Sequence, residues 1–140
     1  MLRTIPKYGL MFITFVGLSM QQVYAQTPND LLTSLQSEVV KSIPNFQGFS
    51  ADRGETFFKM KHGNDWSCSS CHTDNPAVTG KHAKTDKPID PLAPYVNAER
   101  FTNPKKIKKW FKRNCNDVLD RLCTPQEKGD VLAYLLTIRN

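Results

Sequence analysis

Methionine and histidine are scarce in this 140-residue chain, and their positions matter more than their number. Met1, Met11 and Met20 all precede residue 26, and no methionine follows Met60. The histidines are His62, His72 and His82, and the cysteines are Cys68, Cys71, Cys115 and Cys123. A second Cys/His pair at ligand spacing is missing, because Cys115 and Cys123 stand eight residues apart. That argues against a structural zinc site. No βαβ pattern precedes Cys68, which removes a thioredoxin-like redox pair. Long apolar runs are lacking as well: Leu10–Leu18 is far short of the roughly 20 residues a membrane helix needs. The charge surplus of +6 is too small and scattered to argue for nucleic acid.

The N-terminus has the parts of a secretory signal. Arg3 and Lys7 form a basic region, Leu10–Leu18 an apolar one, and Val23-Tyr24-Ala25 offers a cleavage site before Gln26. Residues 1–25 are therefore expected to be a signal peptide, and residues 26–140 a single domain. Losing Arg3 and Lys7 takes the charge from +6 to +4. Such a surplus favours docking on an acidic protein or an anionic surface. The expected location is the periplasm, with no lasting membrane insertion once the signal is cleaved.

What the chain does have is Cys68-Ser69-Ser70-Cys71-His72. This is the C-x-x-C-H pattern of covalent c-type haem attachment. One helical turn sets Cys68 and Cys71 on a common face, where each thiol can reach one haem vinyl group. His72 then offers an imidazole nitrogen to the iron. A surface disulfide is the remaining bland reading, and the export signal tips the balance to one haem c. Export also favours pairing of Cys115 with Cys123, since the other two thiols are spent on haem. Closing that nine-residue loop is worth about 2.6 kcal/mol on a chain-entropy account.

The rest reads as helices. Thr27-Pro28-Asn29-Asp30 has a capping hydroxyl, proline at the first position and an acid in the first turn. Leu31, Leu32, Leu35, Val39 and Val40 follow as an apolar stripe ending before Pro44. Asp52-x-x-Glu55 predicts a capping box for a second helix carrying Phe57, Phe58 and Met60. Gly54 inside it points to a close helix crossing. Between Thr73 and Asn97 the periodicity vanishes among Pro76, Pro88, Pro91 and Pro94. That length suits a segment wrapped round the proximal haem face, with a carbonyl beside Pro88 or Pro91 orienting His72. Thr102-Asn103-Pro104 opens a helix with Ile107, Trp110 and Phe111 inward. Its Lys105, Lys106, Lys108, Lys109, Lys112 and Arg113 make either a solvated face or a docking face for an acidic redox partner. Thr124-Pro125-Gln126-Glu127 caps a last helix with Val131, Leu132, Tyr134, Leu135 and Ile138 on one face. No segment reads as a strand, so the domain is expected to be all-α.

The occupant of the second axial position decides the function. Met60, twelve residues before His72 and read as core, argues against a His/Met carrier. His62 reads as a helix-end residue. His82, an open site, and Asn114 or Asn116 remain. Spacing does not choose between capping and ligation for the asparagines.

Pro91-Leu92-Ala93-Pro94, Glu99-Arg100-Phe101-Thr102, Lys109–Asn116 and Cys123-Thr124-Pro125-x-Glu127-Lys128 together resemble the sphaeroides haem protein family. The likeness is loose before Cys68 and close from Pro91 to Leu136. It implies a high-spin mono-haem cytochrome with a class I cytochrome c-like fold, four to five helices round one covalent haem. It also implies Asn114 as distal ligand, a Cys115–Cys123 bridge beside it, and a di-haem cytochrome c as redox partner. An amide oxygen is hard and weak-field, tolerable to ferric iron and poor for ferrous iron. Reduction is thus expected to release Asn114 and let O₂ or NO bind. Asn75–Asp90 falls outside the pattern, so His82 stays open as sixth ligand of a plain electron carrier. A small oxidase or NO-handling enzyme is the third reading.

Overall fold

The computed structural model describes residues 26–139, so the expected signal segment 1–25 lies outside the described residues. Five helices follow in order: α1 (Pro28–Ser42), α2 (Ala51–Lys59), α3 (Ser69–His72), α4 (Pro104–Leu119) and α5 (Pro125–Thr137). Between α3 and α4 lies one small departure from the all-α expectation, an antiparallel pair of two-residue strands, β1 (Gly80–Lys81) and β2 (Pro88–Ile89). Runs this short carry no periodicity, and Pro88 sits at a strand's first residue, where its missing N–H does no harm. Among the described residues no helix is long and apolar enough to cross a membrane.

The helix starts follow local chemistry. Thr27 with Asp30, and Thr124 with Glu127, form reciprocal capping boxes ahead of Pro28 and Pro125. Asn103 caps α4 by accepting from the Lys106 N–H. At α2 the sequence reading is corrected: Ser50 is the cap, accepting from the Arg53 N–H, and Asp52 lies inside the first turn. Ser50 wins because its own N–H is held by the Asp130 carboxylate at 2.7 Å, a contact made only in the folded chain.

α1 and α2 each pack directly on α5. Leu31, Leu35 and Val39 are buried along α1, whereas Val40, turned 100° from Val39, is exposed. α5 is the central helix. It buries Gly129 to Leu132 as a continuous run, together with Tyr134 and Leu135, rather than a single face. Two clusters meet on it, one of Phe58, Val131, Tyr134 and Leu135, the other of Leu31, Leu35 and Leu132. α2 crosses α5 at Gly54, where a Cβ would stand 1.9 Å from the Asp130 carbonyl oxygen. Beside the crossing Arg53 donates to both carboxylate oxygens of buried Asp130, at 2.8 and 2.9 Å. Met60, expected in the core, caps the C-terminus of α2 and is half exposed, because α2 ends one residue earlier.

α4 is held apart from this trio. Ile107 and Phe111 pack on the α1–α5 cluster, and the Cys115–Cys123 disulfide ties α4 to the start of α5. Asn64 bonds the Asp117 and Val118 carbonyls near the far end. What remains between α4 and the α2–α3 side is a cavity.

Gly54→Ala is expected to destabilise the fold by about 1–3 kcal/mol, since the added methyl can be seated only by parting α2 from α5. Chemical denaturation would show it as a lowered midpoint with little change in slope.

Candidate haem site

The Cys68–His72 segment folds as a turn because its serines close it. Ser67 and Ser70 exchange bonds: each backbone N–H donates to the other's hydroxyl at 3.0 Å. The His72 N–H then reaches back to the Cys68 carbonyl at 3.1 Å. α3 is pinned from outside by the hairpin. A Cβ on Gly80 would meet the Cys71 carbonyl at 2.1 Å, so only glycine lets β1 lie this close. The Ala83 N–H points at the Cys71 sulfur, 3.4 Å away. Sequence reasoning passed over Ser67 and Ser70, whose reciprocal S-x-x-S spacing was the available signal.

The cavity beside α3 measures about 650 Å³, within the usual range for cofactor sites. Cys68, Cys71 and His72 lie along it, with apolar lining from Phe58, Leu92, Ile107, Val131 and Leu135. The Phe58 ring stands 6.4 Å from the His72 imidazole. Burial above all, and the charge of Arg100 second, push the His72 pKa down to about 4. The ring is thus neutral at physiological pH and able to serve as a metal ligand. Burial also pushes the Cys68 thiol up to about 11.

α4 supplies lining residues too. Trp110, Asn114 and Cys115 all border the cavity. Trp110 is not inward as expected but 47% exposed, with Lys109 and Arg113 5.5 and 5.2 Å from its ring centroid. α4 runs on to Leu119 and ends at Asp120 in the left-handed conformation. Neither Asn114 nor Asn116 therefore caps it, which removes the competing explanation for both. Of the two, Asn114 borders the cavity and Asn116 does not.

His82 also borders the cavity and is half-buried. Its Nδ1 accepts the Lys84 N–H at 3.2 Å, which leaves the proton of a neutral ring on Nε2. His62 lies away from the cavity, bridging Nε2 to the Phe57 carbonyl at 2.9 Å. Met60 does not reach the cavity either. The carbonyls near Pro91, expected to orient His72, are taken instead: Asn97 and Arg100 donate to the Pro91 oxygen, and Arg100 to that of Asp90.

The donor set fits a haem and not a bare ion. Among the described residues no group of three His, Cys, Asp or Glu side chains could hold a metal alone. Two free thiols one turn apart, a neutral imidazole next to them and apolar walls are what a covalently tethered porphyrin requires. A helical domain with this cavity and this turn is a c-type cytochrome.

Residues 44–135 match the family described as "Domain of unknown function (DUF1924)". Cytochrome c″ of Methylophilus methylotrophus is 45% identical over 98 residues, covering 67% of this chain and 68% of the relative. Cytochrome c-type protein SHP of Cereibacter sphaeroides is 46% identical over 69 residues, 49% of this chain and 53% of that protein. The structure of oxidized SHP, described as an oxygen binding cytochrome c, superposes with a TM-score of 0.71 at 32% identity, over 81% of this chain and 99% of that one. The solution structure of M. methylotrophus cytochrome c″, concerned with the structural basis of haem-ligand detachment, gives 0.70 at 40% identity over 79% and 93%. The chain belongs to this family of cytochrome c″- and SHP-like mono-haem c-type cytochromes, and its cofactor is haem c.

Replacing Cys68 or Cys71 singly by serine is expected to leave one thioether link, and replacing both to leave none. Acid–acetone extraction would then release the haem from the double variant alone, and each single variant would shift the pyridine haemochrome α band to the red.

Proposed function

We propose that this protein is an exported mono-haem cytochrome that transfers single electrons and binds a diatomic ligand when reduced. In this reading Cys68 and Cys71 carry the haem, His72 is its proximal ligand and Asn114 its distal one. The observation that carries it is the placing of Asn114 on the cavity from mid-α4, where helix capping does not account for it. No methionine follows Met60, and Met60 itself is turned away, so the usual strong-field partner is missing.

The haem, when bound, would supply an iron that takes up and releases single electrons and can bind a small diatomic such as O₂ or NO. His72 would hold it as a neutral imidazole donor. Asn114 would offer it a hard amide oxygen, suited to the ferric state and weak towards the ferrous one, so that the side chain would let go on reduction. The disulfide at Cys115 would keep Asn114 near enough to return. The descriptions of SHP as oxygen binding and of cytochrome c″ in terms of haem-ligand detachment support the same behaviour here.

His82 keeps a second reading alive, because it too borders the cavity. Ligation through Nε2 would demand that the proton leave it and that the Lys84 bond to Nδ1 be given up or the ring be held anionic. That cost favours Asn114. A small oxidase is the third reading.

The lysines of α4 are exposed, and Lys109 among them lies over Trp110, itself at the cavity. They form the face on which an acidic redox partner, such as a di-haem cytochrome c in the periplasm, would dock.

Three outcomes are expected. Ferric protein gives a high-spin EPR signal that Asn114→Ala alters and His82→Ala leaves unchanged; a low-spin ferric spectrum indifferent to Asn114→Ala would reject the assignment. Stopped-flow mixing of the reduced protein with O₂ or NO shows binding without sustained consumption, whereas continuing turnover with a reductant would make it an enzyme. Double reversal of Lys108 and Lys112 to glutamate slows reduction by an acidic partner at least about tenfold at low salt, with the difference fading as ionic strength rises.

A further inference from the structure

Arg100 has no role so far, yet it is the half-buried cation of the cavity. Lys87, Lys106 and Arg113 also border it, but all three are exposed. Among the described residues the ion pairs are Arg53–Asp130, Lys59–Glu55, Lys81–Asp86 and Arg121–Glu127, and none involves Arg100. Its Nε donates to the Pro91 carbonyl at 2.8 Å and one Nη2 proton to the Asp90 carbonyl at 2.6 Å. A guanidinium has five N–H donors, so most of its fork, including the whole of Nη1, is left for another acceptor. Burial disfavours its charged form, and the nearby Asp90 charge offsets this only in part, with no ion pair formed between them.

The backbone points the same way. Among the described residues five that are not glycine have positive φ, and three of them are aspartates, which tolerate it. The other two are Thr73 and Phe101, which directly follow His72 and Arg100. A left-handed phenylalanine is costly and persists only where its surroundings over-determine it. Phe101 packs into both hydrophobic clusters and stacks 6.4 Å from Phe111, which fixes the chain on which Arg100 sits. The two carbonyl bonds then fix the side chain. A cation is pre-aimed into an apolar cavity with its donors unspent.

We propose that Arg100 is the carboxylate-binding residue of the cavity and donates its free N–H groups to a propionate of the haem. The chemistry suits the group: a planar fork matches a carboxylate in two-point fashion, and haem c brings two carboxylates into a cavity whose walls are mostly apolar. A fixed positive charge that acts on His72, as that of Arg100 does, also favours the reduced state over the more positive oxidised one, so Arg100 sets the reduction potential upward. The inference rests on the haem occupying this cavity, which the thioether experiment above tests by itself.

The test uses the purified holoprotein and its Arg100→Gln and Arg100→Lys variants, with Lys105→Gln as an exposed control outside the cavity lining. Resonance Raman reads the propionate bending band, and spectroelectrochemistry reads the potential. Arg100→Gln is expected to shift the band and lower the potential. Arg100→Lys, which keeps the charge but not the fork, is expected to shift the band while holding most of the potential. Lys105→Gln should move neither. An unchanged propionate band in both Arg100 variants overturns the proposal, even if stability falls, because Arg100 would then only tie down the Asp90–Pro91 carbonyls. Should Arg100→Gln fail to retain haem, the band in Arg100→Lys decides alone.

Discussion

The molecule depends on the crossing of α2 and α5 at Gly54. Missing side-chain atoms there let one helix backbone rest on the Asp130 carbonyl of the other. The Asp130 carboxylate then locks the contact through Arg53 and the Ser50 N–H. From this crossing follow the position of Phe58 on one helix and of Val131 and Leu135 on the other, which together line the cavity. The chain leaving α2 must turn within nine residues to place Cys68, and His62 and Asn64 make that turn with bonds to Phe57 and to the end of α4. The haem-binding turn is therefore positioned by a helix pair that takes no part in the chemistry.

A chain of this size buries little apolar area by itself, and here the deficit has a definite shape. α4 contacts the other helices through Ile107, Phe111, one disulfide and a few loop bonds, and the space left over is the site. A haem adds the interior that the polypeptide lacks. Folding and cofactor capture are linked in consequence, and the disulfide keeps α4 from collapsing onto α3 or swinging free. Asn114, next to Cys115, inherits this restraint.

Several features were legible from residues alone because they are local. The capping boxes at Thr27 and Thr124, the stop at Pro44 and the C-x-x-C-H turn rest on neighbours within four positions. The glycine at 54 announced a crossing without naming its partner. Misreadings came where a distant residue intervened. Ser50 displaced Asp52 as the cap of α2 because Asp130, eighty residues on, holds its N–H. Trp110 is a local exception, half exposed with Lys109 and Arg113 of its own helix over its ring. The Pro91 carbonyl could not serve His72 because Asn97 and Arg100 occupy it.

The sequence by itself pointed to the cofactor, since two thiols followed at once by an imidazole form the pattern of covalent haem attachment, and spacing is a local property. It also determined the poverty of strong axial ligands, which is a matter of counting methionines. Only the tertiary structure decided which of the remaining candidates faces the cavity. Helix α4 continues past Asn114, so this exposed asparagine borders the site from within the helix and is not spent on a cap. His82 is brought to the same cavity but with its Nδ1 already engaged by a backbone N–H. Arg100, one cation among nineteen in the chain, stands out only once folding has half-buried it outside the ion pairs of the described residues. Ligand choice and charge placement are long-range consequences of packing, and no spacing rule along the chain encodes them.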